Sequence, residues 1–410
     1  MAHGPPNHPK WEFKARFRAR AFGWRSKPAI ERIRQAVSEI KRVGRREPLL
    51  AADGAVLFLE RLSPALENID SSSGAIGTAV NRAVDALVPI IATAPAERPQ
   101  RDAWMERLWT ALEDDDLSYI EQLADRWGEL CGAPEVASDW ADRLLSTCRE
   151  VWQAEPAFHT FFLGTSCALS ALLAAGRYQE ILDLLAVNPK VIWSERQFGV
   201  RALAAMGETD AAIRYAEEGV EPYLGSNAVA NLCEEILLAA GRTDEAYRRY
   251  GLIANRARTY LAWFRAVVRK YPDKRPEEIL ADLVLQTPGE EGKWFAAAKD
   301  AKLFNVAIDL ANRTPCAPQT LTRAARDFAD DYPAFAIEAG VAALRWLVEG
   351  YGYDITGLDV RAAYTSTMKA AEKAGCADAT HQRLRALVAQ EPPSGDHFVS
   401  RILGRELGLA

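Results

Sequence analysis

The sequence predicts an all-α protein: an α-solenoid of stacked antiparallel helical hairpins, led by a basic N-terminal arm. Three observations predict it. Apolar residues recur at helical spacing from Ile30 onward. A helix–turn–helix pattern recurs mid-chain at spacings of 31, 34 and 60 residues, and no Val/Ile/Thr-rich alternating run between turn residues interrupts the early helical series. The composition agrees: of 410 residues 49% are hydrophobic and 26% charged, which excludes wholesale disorder and collagen-like repetition.

Gly, Pro and Asn open the chain, and residues 1–9 are expected to be disordered. Residues 11–21 then alternate: Trp11, Phe13, Ala15, Phe17, Ala19 and Ala21 are apolar, while Glu12, Lys14, Arg16, Arg18 and Arg20 are charged. Period two marks an extended segment, yet a helical stripe through Phe13, Phe17, Ala21 and Trp24 fits nearly as well, and both readings stay open. Gly23 and Pro28 end the segment either way. Five apolar faces follow: Ile30, Ile33, Val37 and Ile40; Ala51, Ala55, Phe58, Leu59 and Leu62; Ile76, Val80, Val84, Leu87 and Ile91; Trp104, Leu108 and Leu112; Ile120, Leu123, Trp127 and Leu130.

The middle of the chain repeats itself. Segments from Leu172, Ala202, Ile236 and Ala296 each carry a small or apolar run, then Gly176, Gly207, Gly241 or, degenerately, Ala301. Five positions on come Ile181, Ala212, Ala246 and Val306. Glycine ends the first helix in the left-handed conformation, and the small residue admits the second helix closely. Asp210 and Thr243 are the expected N-caps of second helices.

The turns Gly176–Tyr178–Ile181 and Ala240–Ala246 resemble tetratricopeptide (TPR-type) hairpins over about residues 165–315. Leu66-Glu67-x-x-Asp70-Ser71-Ser72-Ser73-Gly74-x-Ile76-Gly77, followed by Ala83-Val84-x-x-Leu87, is similar to an uncharacterised bacterial family of helical-repeat proteins; that resemblance implies no mechanism. The C-terminal part resembles the helical tail of SWIM zinc-finger proteins, but the Cys-x-Cys…Cys-x-His zinc module is absent, so no metal is carried over. The expected organisation is an arm at 1–27, a helical-repeat region at 28–155, TPR-like repeats at 156–318 and a C-terminal helical region at 319–410.

Charge is uneven. From Lys10 to Arg46 there are 13 basic residues and three acids, whereas the remainder has 37 basic and 53 acidic residues, so the formal −6 conceals a basic head on an acidic body. Such a head points to an anionic partner, to the acidic body of a neighbouring subunit, or simply to a solvated and mobile arm. Lys14, Arg16, Arg18, Arg20, Arg25 and Lys27, interleaved with Trp11, Phe13, Phe17, Phe22 and Trp24, combine phosphate-neutralising charge with rings that stack on bases. The same set suits an anionic membrane surface, or docking of the rings against the acidic body.

Other motifs have plainer readings. Ser71–Gly74 opens a helix and offers an anion site, or simply a cap at Ser73 or Asp70 with Gly74 and Gly77 for close packing. Thr287-Pro288-Gly289-Glu290 reads as a capping box rather than a phosphate loop. Glu113–Asp116 reads as a solvated turn, Tyr351–Gly357 as an inter-helix connection, and Trp263, Phe264, Trp294 and Phe295 as core. His159 lies eight residues from Cys167, which leaves a Cys/His pair open beside the plainer reading of a packed or surface histidine; no H-E-x-x-H or paired-cysteine metal pattern occurs, and no cofactor is expected. Six cysteines, none in a C-x-x-C pair, suggest buried thiols in a reducing cytoplasm. With no secretory leader and no run of roughly 18 apolar residues, a cytoplasmic location is expected. The expected role is a non-catalytic scaffold or adaptor holding a protein or peptide in the solenoid groove. The alternative is a nucleic-acid-associated factor acting through the arm.

Overall fold

Four of the five early apolar faces turn inward as read, and the first is rotated slightly, burying Ala29, Ile33, Ala36 and Ile40 while leaving Ile30 and Val37 half-buried. These come from a computed structural model of the protein, which describes residues 11–153, 162–188, 190–218, 226–391 and 397–409. Among the described residues there are helices and turns and no strand. The chain divides into two compact units, Met1–Leu232 and Cys233–Ala410.

In the first unit the helices are α1 (Glu12–Arg16), α2 (Ser26–Gly44), α3 (Pro48–Leu66), α4 (Ala75–Thr93), α5 (Arg98–Glu113) and α6 (Gln122–Asp125). There follow α7 (Trp127–Cys131), α8 (Pro134–Gln153), α9 (Gly164–Ala174), α10 (Tyr178–Ala186), α11 (Trp193–Ala205) and α12 (Thr209–Glu217). Helix α13 (Ser226–Ala239) contains the division. Helix α4 is long and apolar enough to cross a membrane by length and composition; here its face from Ile76 to Ile91 is buried, and it packs on α2 and α3.

The second unit opens with α14 (Thr243–Ala246), a π-helical turn at Tyr247–Gly251 and α15 (Leu252–Ala254). Then come α16 (Tyr260–Lys270), α17 (Pro276–Leu285), a 3-10 turn at Glu291–Trp294, α18 (Phe295–Asp300), α19 (Phe304–Arg313) and α20 (Pro318–Asp327). It closes with α21 (Pro333–Val348), α22 (Gly357–Lys373), α23 (Ala377–Val388) and α24 (Phe398–Leu407). Trp263, Phe264, Trp294 and Phe295 are core residues of this unit.

The repeated turn has one physical form. Gly176, Gly207 and Gly241 sit at φ of +74°, +86° and +74°. The next N–H, from Arg177, Glu208 or Arg242, donates to the carbonyl five residues back, at Leu172, Leu203 or Leu237. This is a Schellman closure, which satisfies carbonyls that the ending helix orphans. The next helix starts two residues past the glycine, and Ile181, Ala212 and Ala246 are buried. In two turns the residue after the glycine is an arginine that forks onto a glutamate three positions on, Arg177 on Glu180 and Arg242 on Glu245.

The fourth repeat is shifted by one residue from the expected register. Lys302, not Ala301, is left-handed (φ +58°), Leu303 donates to the Ala298 carbonyl, and the buried small residue is Ala307, whereas Val306 is 42% exposed. Without a glycine the sequence hid the turn. Gly375 makes the same closure, with Cys376 donating to Ala371 and Thr380 buried five residues on. Asp210 and Thr243 are not caps; they lie in the first turn, and Glu208 and Arg242 hold the cap positions without a side-chain bond. Because an L-residue in the left-handed region costs about 1 kcal/mol or more, Lys302→Gly is expected to stabilise the second unit by about that amount, measured as a shift in urea midpoint.

Candidate functional site

The basic head is not a free arm where it is described. Trp11, Phe13 and Phe17 are buried, with Phe13 and Phe17 edge-on to Phe58 of α3 at ring distances of 5.4 and 4.9 Å. Trp11 fills the space over Gly54, where an added Cβ would lie 2.2 Å from its ring. Backbone bonds fix the segment: Glu39 accepts from the Glu12 and Phe13 N–H groups, Arg61 donates to the Lys14 and Phe17 carbonyls, and Arg20 N–H donates to Pro64. The rings at 11, 13 and 17 are therefore unavailable for stacking on bases, and docking is the reading of that segment that holds. Neither periodicity was right throughout: α1 is one turn long, and its rings turn inward at 11, 13 and 17. Residues 1–10 lie outside the described residues.

The cations behave differently from the rings. Lys14, Arg16, Arg18, Arg20, Arg25 and Lys27 are all exposed. Arg20 is held bidentate by Glu67 at 2.8 and 2.9 Å, and Arg16 meets Glu12 at 3.6 Å. Arg16 also lines a cleft of about 230 Å³ with Arg32 and Arg42 of α2.

A larger cleft, of about 680 Å³, lies in the first unit among α4, α6, α9 and the start of α11. Its apolar lining is Trp152, Phe162, Leu163 and Ile192, and its polar lining includes Asn81, Asn188, Lys190 and Ser194. Two carboxyls border it. Glu195 accepts from Asn188 Nδ2 at 2.8 Å and from Ile192 N–H, closing the start of α11, yet burial pushes its pKa up. Asp125 has an open edge, but protein crowded around its carboxyl raises its pKa, against a hydrogen bond with Ser166. Gln122 Nε2 donates to Asp85, while its Oε1 is buried without a partner. Sequence reasoning missed this site, because residues 81, 125, 163 and 195 share no motif and are brought together by the packing of α9 on α6 and α11.

Several motif readings change. Thr287–Glu290 is not a capping box: Pro288 and Gly289 (φ +85°) occupy the central positions of a turn closed by Glu290 N–H to Thr287 O, and the next helical turn starts at Glu291. Thr287 Oγ1 instead accepts from Trp294 Nε1 at 2.8 Å. Gly74 and Gly77 have nothing within 4 Å of an added Cβ, so neither serves close packing. Asp115 is no solvated charge: it accepts from Tyr119 and Ile120 N–H and from Ser63 of α3. Tyr353 is 86% exposed, and Tyr351 stands edge-on to Trp346.

His159 lies outside the described residues. Cys167 is buried in apolar surroundings that push its thiol well up, and burial pushes Cys148 up to about 11 and Cys131 up to about 12. None of these is a thiolate nucleophile near neutral pH. All six cysteines are free, five of them buried and Cys376 half-buried. Among the described residues no group of three His, Cys, Asp or Glu is placed to hold a metal. Comparisons of the chain with protein-family models, curated proteins and solved structures found no match.

Proposed function

We propose that the protein is a non-catalytic helical-repeat scaffold, each unit a run of stacked TPR-like hairpins, which holds a segment of a partner protein in the cleft between α4, α9 and α11. The observation that carries this reading is the order of helix contacts. The strong ones join helices no more than three apart in the chain: α9 touches α10 and α11, α20 touches α21 and α22, and α21 touches α23. Neighbours-only packing suits hairpins that bury their apolar faces against the next hairpin, the physical basis of a solenoid. The cleft suits an extended peptide, since aromatic and aliphatic walls stand beside the amide of Asn81, a group that pairs with backbone N–H and C=O, while Asn188 is held by Glu195 and the Lys190 N–H.

Crosslinking of tagged protein in its native host tests the reading. A partner is expected in near-stoichiometric yield with crosslinks to Lys190. Ser194→Trp, which fills the cleft, should abolish its recovery while the unfolding free energy stays within about 0.5 kcal/mol of wild type. A partner retained by the variant, or none crosslinked at the cleft, overturns the proposal.

A further inference from the structure

We infer that the face built by α1, the turn after it and α2 binds single-stranded nucleic acid, with arginines on phosphates and Trp24 stacked on a base. Residues 11–46 hold nine arginines and three lysines against three glutamates. Those glutamates are engaged locally. Glu39 caps α1, Glu12 faces Arg16, and Glu31 faces Arg34 at 4.0 Å and accepts from Gln35. Lys14, Arg18, Arg25, Lys27, Arg32, Lys41, Arg42, Arg45 and Arg46 therefore have no acidic partner among the described residues. The surface keeps its positive charge for something else.

Geometry sharpens the assignment. Gln35 Oε1 accepts from Arg16 at 3.1 Å and from Arg32 at 2.7 Å, so one amide holds two guanidinium groups together at the cleft that Arg42 also lines. Arg32 and Arg42 are ten residues apart on α2, about 15 Å along its axis, so the cations form a strip rather than a point. Arginine's planar fork suits phosphate. Trp24 stands at the N-terminal end of the strip, 71% exposed, with its carbonyl accepting from Asp70 N–H, so the ring is presented from a fixed backbone.

A bilayer would need an apolar face, and this surface lacks one. The face of α2 and the rings of Trp11, Phe13 and Phe17 are buried, and Trp24 is the one exposed large apolar residue of 11–46. A lone ring amid arginines matches a stacking platform in an electrostatic groove, and stacking requires an unpaired base.

Fluorescence anisotropy of the full chain with labelled 20-nucleotide oligo(dT) and oligo(rU) tests this. Engagement of about four phosphates predicts roughly 50-fold weaker binding at 200 mM than at 50 mM salt. Trp24→Ala should weaken binding by about 5-fold or more, and Arg32→Glu/Arg42→Glu should abolish it, with circular dichroism melts unchanged. Ser194→Trp should leave it intact, which separates this result from the fate of the scaffold reading. The relative affinity for the two oligonucleotides tells DNA from RNA. No binding at 50 mM salt, binding indifferent to salt or to the double substitution, or capture by phosphatidylserine vesicles without oligonucleotide binding overturns the inference.

Discussion

Replacing Arg101 by methionine is expected to cost the first unit about 3–5 kcal/mol. Arg101 is only 5% exposed, and among the described residues its partners are backbone carbonyls rather than a carboxylate. Its guanidinium donates to the carbonyls of Ile91 at 2.5 Å, Ala92 at 3.3 Å, Ala94 at 2.8 Å and Leu130 at 3.2 Å. Ile91 and Ala92 belong to the last turn of α4, where helical partners run out and only the C-cap Ala94 N–H reaches back, to Ile91, at 3.4 Å. The negative end of the helix dipole thus stands in for a counter-ion. The ring of Trp104, 5.2 Å away, adds a cation–π contact. Methionine fills the volume but leaves the Ala92 and Leu130 carbonyls without a donor, and the Ile91 and Ala94 carbonyls with only the Ala94 and Ala96 N–H groups, so the melting temperature of this unit should fall by about 10 °C. Lysine keeps the charge but not the fork, and should recover less than half of the loss. Gly132 provides a further check: an added Cβ would sit 2.9 Å from Arg101 Cζ and from Ala92 O. Gly132→Ala and Arg101→Met should therefore be strongly non-additive in a double-mutant cycle. A loss below about 1 kcal/mol for Arg101→Met would show that water re-satisfies those carbonyls.

Arg101 also shows what the sequence conceals. Helical periodicity located Ala51–Leu62 and Ile76–Ile91 correctly, because burial of an apolar stripe is a local property of one helix. A buried arginine satisfied by another helix's carbonyls leaves no periodic trace. The same holds for Asp115, read from its acidic neighbours but set by contacts with Ser63, Tyr119 and Ile120. Glycine marked three of the repeated turns; Lys302, in the same conformation without glycine, displaced the reading by one residue. At Thr287 two local signals competed, and the Pro-Gly turn prevailed over the capping pattern because Thr287 is engaged with Trp294. For the sites, the charge of the head was legible, and the cations at 14, 16, 18, 20, 25 and 27 are exposed. Which rings were free depended on Phe58 and Gly54, more than thirty residues away, and the cleft around Asp125 and Glu195 depended on three helices meeting.

Gly128→Ala is expected to destabilise the first unit by about 3 kcal/mol, at the upper end of overpacking costs. Gly128 lies in the first turn of α7 against α9, where an added Cβ would lie 2.1 Å from the Ser170 carbonyl oxygen and 2.6 Å from the Ala174 Cβ. Backbone cannot rotate away as a side chain can, so α7 must move off α9. That movement breaks a stitch: Ser170 Oγ accepts from Gly128 N–H at 3.0 Å and donates to the Asp125 carbonyl at 2.9 Å, bridging the break between α6 and α7. Asp125 borders the large cleft, so the same substitution should lower recovery of a cleft-bound partner beyond what the stability loss explains. Gly77→Ala is the matched control. Its Cβ would meet nothing within 4 Å, so the gain in helix propensity, about 0.5–1 kcal/mol, should raise stability. Opposite signs for one chemical change, measured by urea unfolding of the full chain, would show that closeness of the α7–α9 contact decides the outcome. A Gly128→Ala protein as stable as wild type would mean that α7 and α9 pack further apart than described.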